Sequence, residues 1–361
     1  MAYQNVGTPR FIIDWLQWYK SMGLIRGYSI VNGTSTNPSE SSAVNNLIGL
    51  YPNPQTVAHG GVHNEMWYAI ESDNFSFPAK DGNVVGIFGH NYKDSSVYFK
   101  MGYKITGFVS ERCVLTDDFV VNANTVANEF SCPNNGFSLH SYSGVTSVEP
   151  PHHNSNVSLM PMVRKIDGDP TPSDVRLGCL LWGKYFDIPH SPDLSLKMTR
   201  EMDGTKASIT KGGSHLVGHR YKKSPLWGES TPPWDTPNDL ANLSKYGRRT
   251  WDLSFSYLSD SDLFPMISNQ SAKESTSPTG EQYSNEGSEW WAENTLLDSD
   301  TFYSQVIHKT NGGQLPFIFM PDKDNHNPDG FAICKFDMKS FQFNQVANGV
   351  YDIKLKIREV W

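Results

Sequence analysis

The sequence predicts a mainly β fold of the sandwich type, with few short helices. Aromatic residues make up 12% of the chain and charged residues only 19%, and aromatic side chains favour half-buried strands. The chain also contains 29 glycines and 22 prolines, which divide it into short segments because both residues favour turns. Near the C-terminus, two segments alternate apolar and polar residues without interruption. Together these three observations are typical of an antiparallel β protein.

The two alternating segments are residues 251–257 and 351–358. In the first, every odd position is apolar and every even position is polar. In the second, apolar positions alternate with charged ones. The charged positions are Asp352, Lys354, Lys356 and Arg358. A period of two predicts a strand with one face in a core and the other face toward water or a partner.

At 361 residues the chain is longer than a single core usually supports, so more than one folding unit is expected. We predict an N-terminal arm and linker over 1–57, an inserted jelly-roll-like β-sandwich module over 58–174, and a second β-sandwich over 175–361 with a surface insertion at 266–296. Short apolar segments separated by turn residues predict the strands of the inserted module. These segments are 66–70, 83–88, 97–99, 114–121 and 137–142.

Two segments predict the few helices. Residues 8–23 start with a threonine and a proline and end at Gly23, which fits a capped helix with a glycine stop. Residues 11–13 are equally good strand residues, so a strand that leads into a short helix fits as well. Residues 296–306 have helical spacing and are expected to flank the sheet.

The charge of the chain argues against nucleic-acid binding. The net charge is −8 at pH 7 and the sequence contains no basic run, whereas binding through phosphates requires clustered lysine and arginine. The N-terminus lacks the pattern of a signal peptide, and no apolar stretch has the length of a membrane span. We therefore expect a chain that is not inserted in a membrane and is assembled in a cytoplasm.

The four cysteines are Cys113, Cys132, Cys179 and Cys334, and they form no CxxC motif. Cys179 and Cys334 lie in apolar segments, where a free cysteine is ordinarily a small core residue. A bridge between Cys113 and Cys132 is an alternative, but nothing else in the sequence indicates an oxidising compartment. Reduced thiols are therefore favoured.

Two segments contain metal-ligating residue types. Residues 322–330 resemble a calcium loop, but they lack the glycine at loop position six and have Ile333 where the loop needs a glutamate. A polar hairpin loop is therefore favoured. His59, His63 and Glu65 are spaced like zinc ligands, but the two glycines between the histidines argue against the helix that this motif needs. No metal and no other cofactor are expected.

No nucleophile elbow, phosphate-binding loop or dinucleotide fingerprint occurs in the sequence, so we expect no enzymatic activity. The adjacent carboxylates Asp117 and Asp118 leave glycoside hydrolysis as an alternative, because that reaction needs two acids that face each other across a cleft.

Four residues are candidates for contacts with a glycan or a protein partner. His90 and Asn91 lie at the end of an apolar segment in the inserted module. A polar turn stabilised by Asn91 is the structural alternative there. Trp290 and Trp291 lie in a polar segment, where a contact with another subunit is favoured.

The C-terminal half follows a recognisable order of segments. An arginine–tryptophan strand at Arg249 and Trp251 comes first, followed by a helix near Phe302, a glycine-to-Pro-Phe strand, and a closing strand that ends in Glu359. In this order the chain resembles the minor tail and distal tail proteins of long-tailed bacteriophages. The matching segments are 175–189, 249–258, 312–319, 331–336 and 351–359, and residues 85–91 resemble a segment of β-sandwich modules in phage structural proteins. The inserted module and the insertion at 266–296 depart from the pattern of that family.

The resemblance implies a tail-tube-like β-sandwich that forms a homo-oligomeric ring in the tail tip or baseplate of a virion. It implies contacts with the tail tube, hub and fibre proteins, and no enzymatic role. The charged face of 351–358 would line a hydrated lumen or a subunit seam. Neither sequence-specific nucleic-acid binding nor membrane insertion is expected. The alternatives are a receptor-binding tail protein whose 58–174 module binds host surface glycan and, less favoured, a glycan-degrading tail enzyme.

Overall fold

The computed structural model of the chain is mainly β, with large antiparallel sheets and few short helices, which confirms the predicted fold class. The structure describes residues 5–32, 47–50, 56–59, 65–72, 82–105, 108–126, 129–145, 158–159, 162–165, 174–201, 205–219, 248–265, 296, 299–326 and 330–360.

The strands follow one another along the whole described chain. They are β1 Arg10–Asp14, β2 Ile25–Asn32, β3 Thr56–His59, β4 Glu65–Ser72, β5 Val84–His90, β6 Val97–Lys100, β7 Gly102–Ile105, β8 Phe108–Val121, β9 Asn124–Val126, β10 Glu129–Ser131, β11 Gly136–Val145, β12 Ser158–Leu159, β13 Met162–Lys165, β14 Asp174–Leu177, β15 Cys179–Asp187, β16 Lys197–Glu201, β17 Thr205–Ile209, β18 His215–His219, β19 Arg248–Ser259, β20 Phe317–Met320, β21 Ala332–Phe336, β22 Phe343–Ala347 and β23 Val350–Glu359.

The described helical segments are short. They are α1 Trp15–Ser21, α2 Asp260–Leu263, a π-helical turn Tyr303–Ile307 and a 3-10 turn His308–Thr310. Helix was predicted over 296–306, but the helical turns continue past that segment to Thr310. The left-handed Asn311, at φ 51°, ends them.

One long antiparallel sheet runs in the order β16-β19-β23-β21-β20-β1-β15-β5-β11-β8, and β22 also pairs with β23. A second sheet runs in the order β9-β10-β6-β13-β4-β2, and β12 links β4 to β7. The two sheets share β8, which pairs with β7 through its first half and with β11 through its second half. Two further strand pairs, β3–β14 and β17–β18, form sheets of their own.

The central strands of the long sheet are buried on both faces. Along β5 every residue is buried. Val85 and Ile87 belong to the apolar cluster that also contains side chains of the second sheet, whereas Val84 and Phe88 belong to a separate cluster on the opposite face. A strand covered on both faces contains a continuous apolar run rather than an alternating one, and this explains why residues 84–88 do not alternate.

Near the start of the chain a strand leads into a short helix, which is one of the two alternatives predicted for residues 8–23. Asp14 ends β1 and caps α1, because its Oδ1 accepts a hydrogen bond from the Leu16 amide at 3.1 Å. Gly23, with φ +73°, follows the last turn. Residues 10–14 were assigned to an N-terminal arm, but β1 lies between β15 and β20 in the long sheet. The division of the chain near residues 57 and 174 stays a prediction.

Four other sequence predictions concern the short strands, the cysteines, membrane spans and the surface insertion. The five short apolar segments of the inserted module lie in β4, β5, β6, β8 and β11, and the two alternating segments lie in β19 and β23. Cys132, Cys179 and Cys334 are buried and form no disulfide, so Cys132 does not form the alternative bridge to Cys113. In the described part of the chain, no helix is long and apolar enough to cross a membrane. Residues 266–295 lie outside the described residues.

Candidate functional site

The candidate site is the outer face of the sheet formed by β16, β19 and β23, which we call the charged face. Along β23 the side chains of Ile353, Leu355 and Ile357 are buried in the core. The four residues predicted to share one face lie between and beside these core positions and all reach solvent. These residues are Asp352, Lys354, Lys356 and Arg358. Strand alternation therefore places them on the side of β23 that faces away from the core.

Neighbouring strands supply opposite charges to the charged face. The strand register places Lys197 of β16, Asp252 of β19 and Lys356 of β23 in one row across the sheet. Directly opposed residues in antiparallel strands share a face, and opposite charges in such a row attract one another. The charged face is therefore mixed in sign rather than uniformly basic.

Two ion pairs fix side chains on this face. Lys356 Nζ lies 2.7 Å from Asp337 Oδ2, and Arg358 Nη2 lies 2.6 Å from Glu201 Oε2. The hydrogen bond with Asp337 and the charge of this carboxylate raise the pKa of Lys356 above its ordinary value. All four side chains are partly exposed, and exposed ion pairs contribute only about 0–1 kcal/mol to stability. Their main effect is to neutralise the charged face locally.

The end of the charged face contains a feature that the alternating pattern missed. The register of β19 against β23 shifts between Phe255 and Leu258, so Tyr257 is 79% exposed although its odd position predicted a core residue. Its φ is +61°, which lies in the left-handed region that residues other than glycine rarely adopt. Asp352 Oδ1 accepts a hydrogen bond from the Tyr257 amide at 3.2 Å and thereby stabilises the bulge.

The opposite face of the same strands contains a buried ion pair. Arg249 Nη2 lies 3.1 Å from Glu359 Oε1, and the Arg249 amide also donates to Glu359 Oε2 at 2.9 Å. A second guanidinium bond, from Nη2, reaches the Phe331 carbonyl at 2.7 Å. Both residues belong to the segments of the family resemblance, but their contact was not predicted. A buried charge of this kind requires its partner.

His90 is a core residue, which corrects its prediction as a contact residue. Its imidazole is buried, and Nδ1 accepts a hydrogen bond from the Tyr92 amide at 3.3 Å. Nε2 then carries the proton and donates to Ser138 Oγ at 3.2 Å. Burial lowers the pKa of His90 to about 3, so the ring is neutral. A glycan cannot reach this buried ring without a change of structure.

Asn91 has the structural role that was given as its alternative. Its side-chain Oδ1 accepts a hydrogen bond from the Arg176 amide at 2.8 Å, and its carbonyl accepts one from the Ser95 amide at 3.0 Å. The first bond ties the turn after β5 to β14, and the second closes that turn. Trp290 and Trp291, the other two predicted contact residues, lie outside the described residues.

Of the residues considered for metal binding and hydrolysis, His63 lies outside the described residues. The segment around 322–326 connects β20 and β21, which pair as a hairpin, as predicted. Across the described ranges, no group of three His, Cys, Asp or Glu residues is placed to hold a metal ion. Asp117 and Asp118 are both exposed on β8, and Asp117 accepts a hydrogen bond from Thr125 Oγ1 at 3.1 Å.

Comparisons with known proteins add little to this geometry. No protein-family model matches the chain, and no curated protein matches it. Among solved structures, a DUF4466 family protein from Parabacteroides merdae shows a very weak similarity to the chain. The two share 9% identity over 85% of this chain and 98% of that chain, with a TM-score of 0.16. A similarity of this size carries no argument about fold or function.

Proposed function

We propose that this chain is a non-enzymatic structural protein of a tailed-phage virion, which forms a homo-oligomeric ring at the tail tip or baseplate. The observation that carries the proposal is the charged face. It presents side chains of both signs on β16, β19 and β23, while apolar residues on the other side of β19 and β23 are buried in the core. This arrangement suits a wall with water or a second subunit on one side.

A mixed-charge wall suits the passage of DNA. A uniformly basic surface binds phosphates and releases counterions, so it would hold DNA in place. On the charged face, Lys356 and Arg358 are each matched by a nearby carboxylate, which reduces the positive potential that DNA would meet. The same pairs would also suit a polar seam between subunits. The partners in a virion would be the tail tube, hub and fibre proteins.

The test is the state of assembly of the purified full-length chain. Light scattering gives the mass in solution, and negative-stain images show whether the particles are closed rings with a central hole. We expect rings, because the proposed role requires a channel around which the subunits close. A compact trimer without a channel would contradict the ring and would favour the receptor-binding alternative.

A further inference from the structure

The hairpin formed by β17 and β18, residues 205–219, lies outside every apolar cluster of the described chain. All described side chains between Lys206 and Gly218 are exposed, and in the described sheets β17 and β18 pair only with each other. Three large apolar side chains are among them. Ile209 is 66% exposed, Leu216 is 56% exposed and Val217 is 59% exposed.

The hairpin has a defined turn. Gly213, with φ +83°, donates a hydrogen bond to the Thr210 carbonyl at 2.9 Å, and Ser214 donates to Thr210 Oγ1 at 3.0 Å. The Thr210 amide also donates to the Ser214 carbonyl at 2.9 Å. The register that follows places Ala207 opposite Val217 and Ile209 opposite His215.

One face of the hairpin presents three apolar side chains beside His215, and nothing in the described chain covers it. Ala207, Ile209 and Val217 share this face, because opposed residues of antiparallel strands point to the same side. An isolated two-stranded hairpin is marginally stable in water, and clustered exposed apolar side chains usually mark an interaction site. In the described chain the hairpin therefore lacks the covering surface that such a face ordinarily has.

A second element, the strand β22, also lacks a partner in the described chain. β22 pairs with β23 and with no other described strand, so its second edge has no partner strand among the described residues. Residues 344–347 are exposed, and Val346 is 50% exposed. Natural edge strands are ordinarily protected by lysine, other charged residues, proline or a β-bulge. The sequence of β22, Phe-Asn-Gln-Val-Ala, contains no charged residue and no proline, and its register with β23 shifts between Gln345 and Ala347.

The charges of the two surfaces are complementary. The hairpin contains Lys206 and Lys211 and no acidic residue. The Asp260 amide donates to the Gly349 carbonyl at 2.9 Å, which places the first turn of α2 beside the turn that joins β22 to β23. The first turn of α2 contains Asp260 and Asp262 and no basic residue. The remainder of the chain is acidic as well, since the net charge of the whole is −8.

We propose that the β17–β18 hairpin of one copy adds to the second edge of β22 in a second copy of this chain. Main-chain hydrogen bonds of an added strand give affinity, and alternate side chains give specificity. Because the donor and the acceptor are different surfaces, the contact is head-to-tail, and such contacts close into rings or extend into filaments. The inference deepens the proposed function, and only the closure into a ring rests on it.

Three variants of the full-length chain test the proposal. Ile209→Thr combined with Val217→Thr removes the apolar face but keeps β-branched residues, so the hairpin retains its strand preference. Val346→Lys places a charge on the acceptor edge. Leu194→Lys is the matched control, because Leu194 is fully exposed at a different place on the chain. Circular dichroism and the thermal midpoint establish that each variant is folded.

Sedimentation velocity over a range of concentrations is the measurement. The wild-type chain and Leu194→Lys are expected to associate equally. The hairpin variant alone and Val346→Lys alone are expected to lose association by tenfold or more. An equal mixture of these two variants is expected to form a dimer and nothing larger, because one intact donor meets one intact acceptor.

Several results would overturn the proposal. Unchanged association of the hairpin variant shows that the hairpin is not the donor, and unchanged association of Val346→Lys shows that β22 is not the acceptor. A mixture that stays monomeric contradicts the head-to-tail contact, as does a wild-type chain that is monomeric at every concentration. Rings that persist in both variants would leave the proposed function standing while rejecting this contact. A wild-type particle without a channel would reject the ring, while the variants still decide the contact.

Discussion

Two antiparallel strand pairs of this molecule, β19–β23 and β17–β18, differ in what lies against them. In β19–β23 the apolar face, with Trp251 and Leu355, is buried in the main core and the polar face meets water. In β17–β18 both faces meet water, although Ile209 and Val217 share an apolar side. Alternation therefore predicts a strand and its two faces, but it does not show that the surface covering the apolar face belongs to the same copy.

The largest expected difference in stability is between two truncations. One removes a core side chain of the first pair, and the other removes an exposed apolar side chain of the second pair. Trp251→Ala should lower the free energy of unfolding by about 3–5 kcal/mol, because it leaves a cavity in the core. Val217→Ala should change it by less than about 0.5 kcal/mol, because the site is exposed. Denaturant unfolding below the concentration at which the chain associates measures both. Equal losses would contradict the difference between the pairs.

A second contrast lies within the β19–β23 pair and compares two arginine–carboxylate contacts. Glu359→Ala leaves the buried Arg249 without its carboxylate, which should lower the free energy of unfolding by about 3–5 kcal/mol. Glu201→Ala removes the carboxylate beside the partly exposed Arg358, which should cost about 0–1 kcal/mol. Thermal and denaturant unfolding of the two variants give the comparison. A small effect of Glu359→Ala would show that water reaches the inner face.

Asp14, at the end of the central strand β1, is buried and makes the stability of the long sheet depend on pH. Burial raises the pKa of Asp14 to about 7, although amides of Leu16 and Trp182 donate to its carboxylate. The unfolded chain releases this proton near the ordinary value of 3.8, so between pH 4 and 7 the folded state binds more protons. Stability from this group is therefore present at low pH and is lost as the pH rises toward 7.

Asp14→Asn keeps the acceptor oxygen but removes the titration. The stability of the variant relative to the wild type should rise between pH 4 and 7, by on the order of a few kcal/mol, and then stay constant. Denaturant unfolding at a series of pH values measures this difference. A constant difference over the whole range would show that Asp14 titrates normally in the folded chain.

The smallest expected effect concerns the charged face itself. Lys356→Ser breaks the contact with Asp337 and should lower the free energy of unfolding by less than about 1 kcal/mol in dilute buffer. The effect should disappear near 1 M salt, because screening shortens the range of interactions between exposed charges. A loss that persists at high salt would show that the lysine stem, rather than its charge, packs against the sheet.

Much of the fold could be predicted where the pattern is local. The strands β19 and β23 follow from strict alternation, and the strand-to-helix start at residues 10–21 follows from residue types. The place of β1 in the sheet could not be predicted, since it depends on pairing with residues far along the chain at 183–187 and 318–320. The bulge that exposes Tyr257 leaves no trace in an alternating sequence.

The candidate site was predicted in part. The four charged positions of β23 share a face, as their spacing required, but the partners of Lys356 and Arg358 are Asp337, which follows β21, and Glu201 of β16. His90 was misassigned because a polar residue at the end of an apolar segment looks exposed. The continuous apolar run before it was the available indication, since such a run predicts burial on both faces. The hairpin at 205–219 was not predicted, because Thr-Lys-Ala-Ser-Ile is only weakly apolar.

Amide hydrogen exchange of the full-length chain at low and high concentration tests most directly whether a second copy completes the exposed strand pair. The account predicts that amides of 205–219 exchange rapidly in dilute solution and become protected as the concentration rises, together with those of 343–347. Amides of 248–259 should be protected at both concentrations, because their pairing lies within one copy. Rapid exchange of 205–219 at every concentration, while the chain is assembled, would contradict the account.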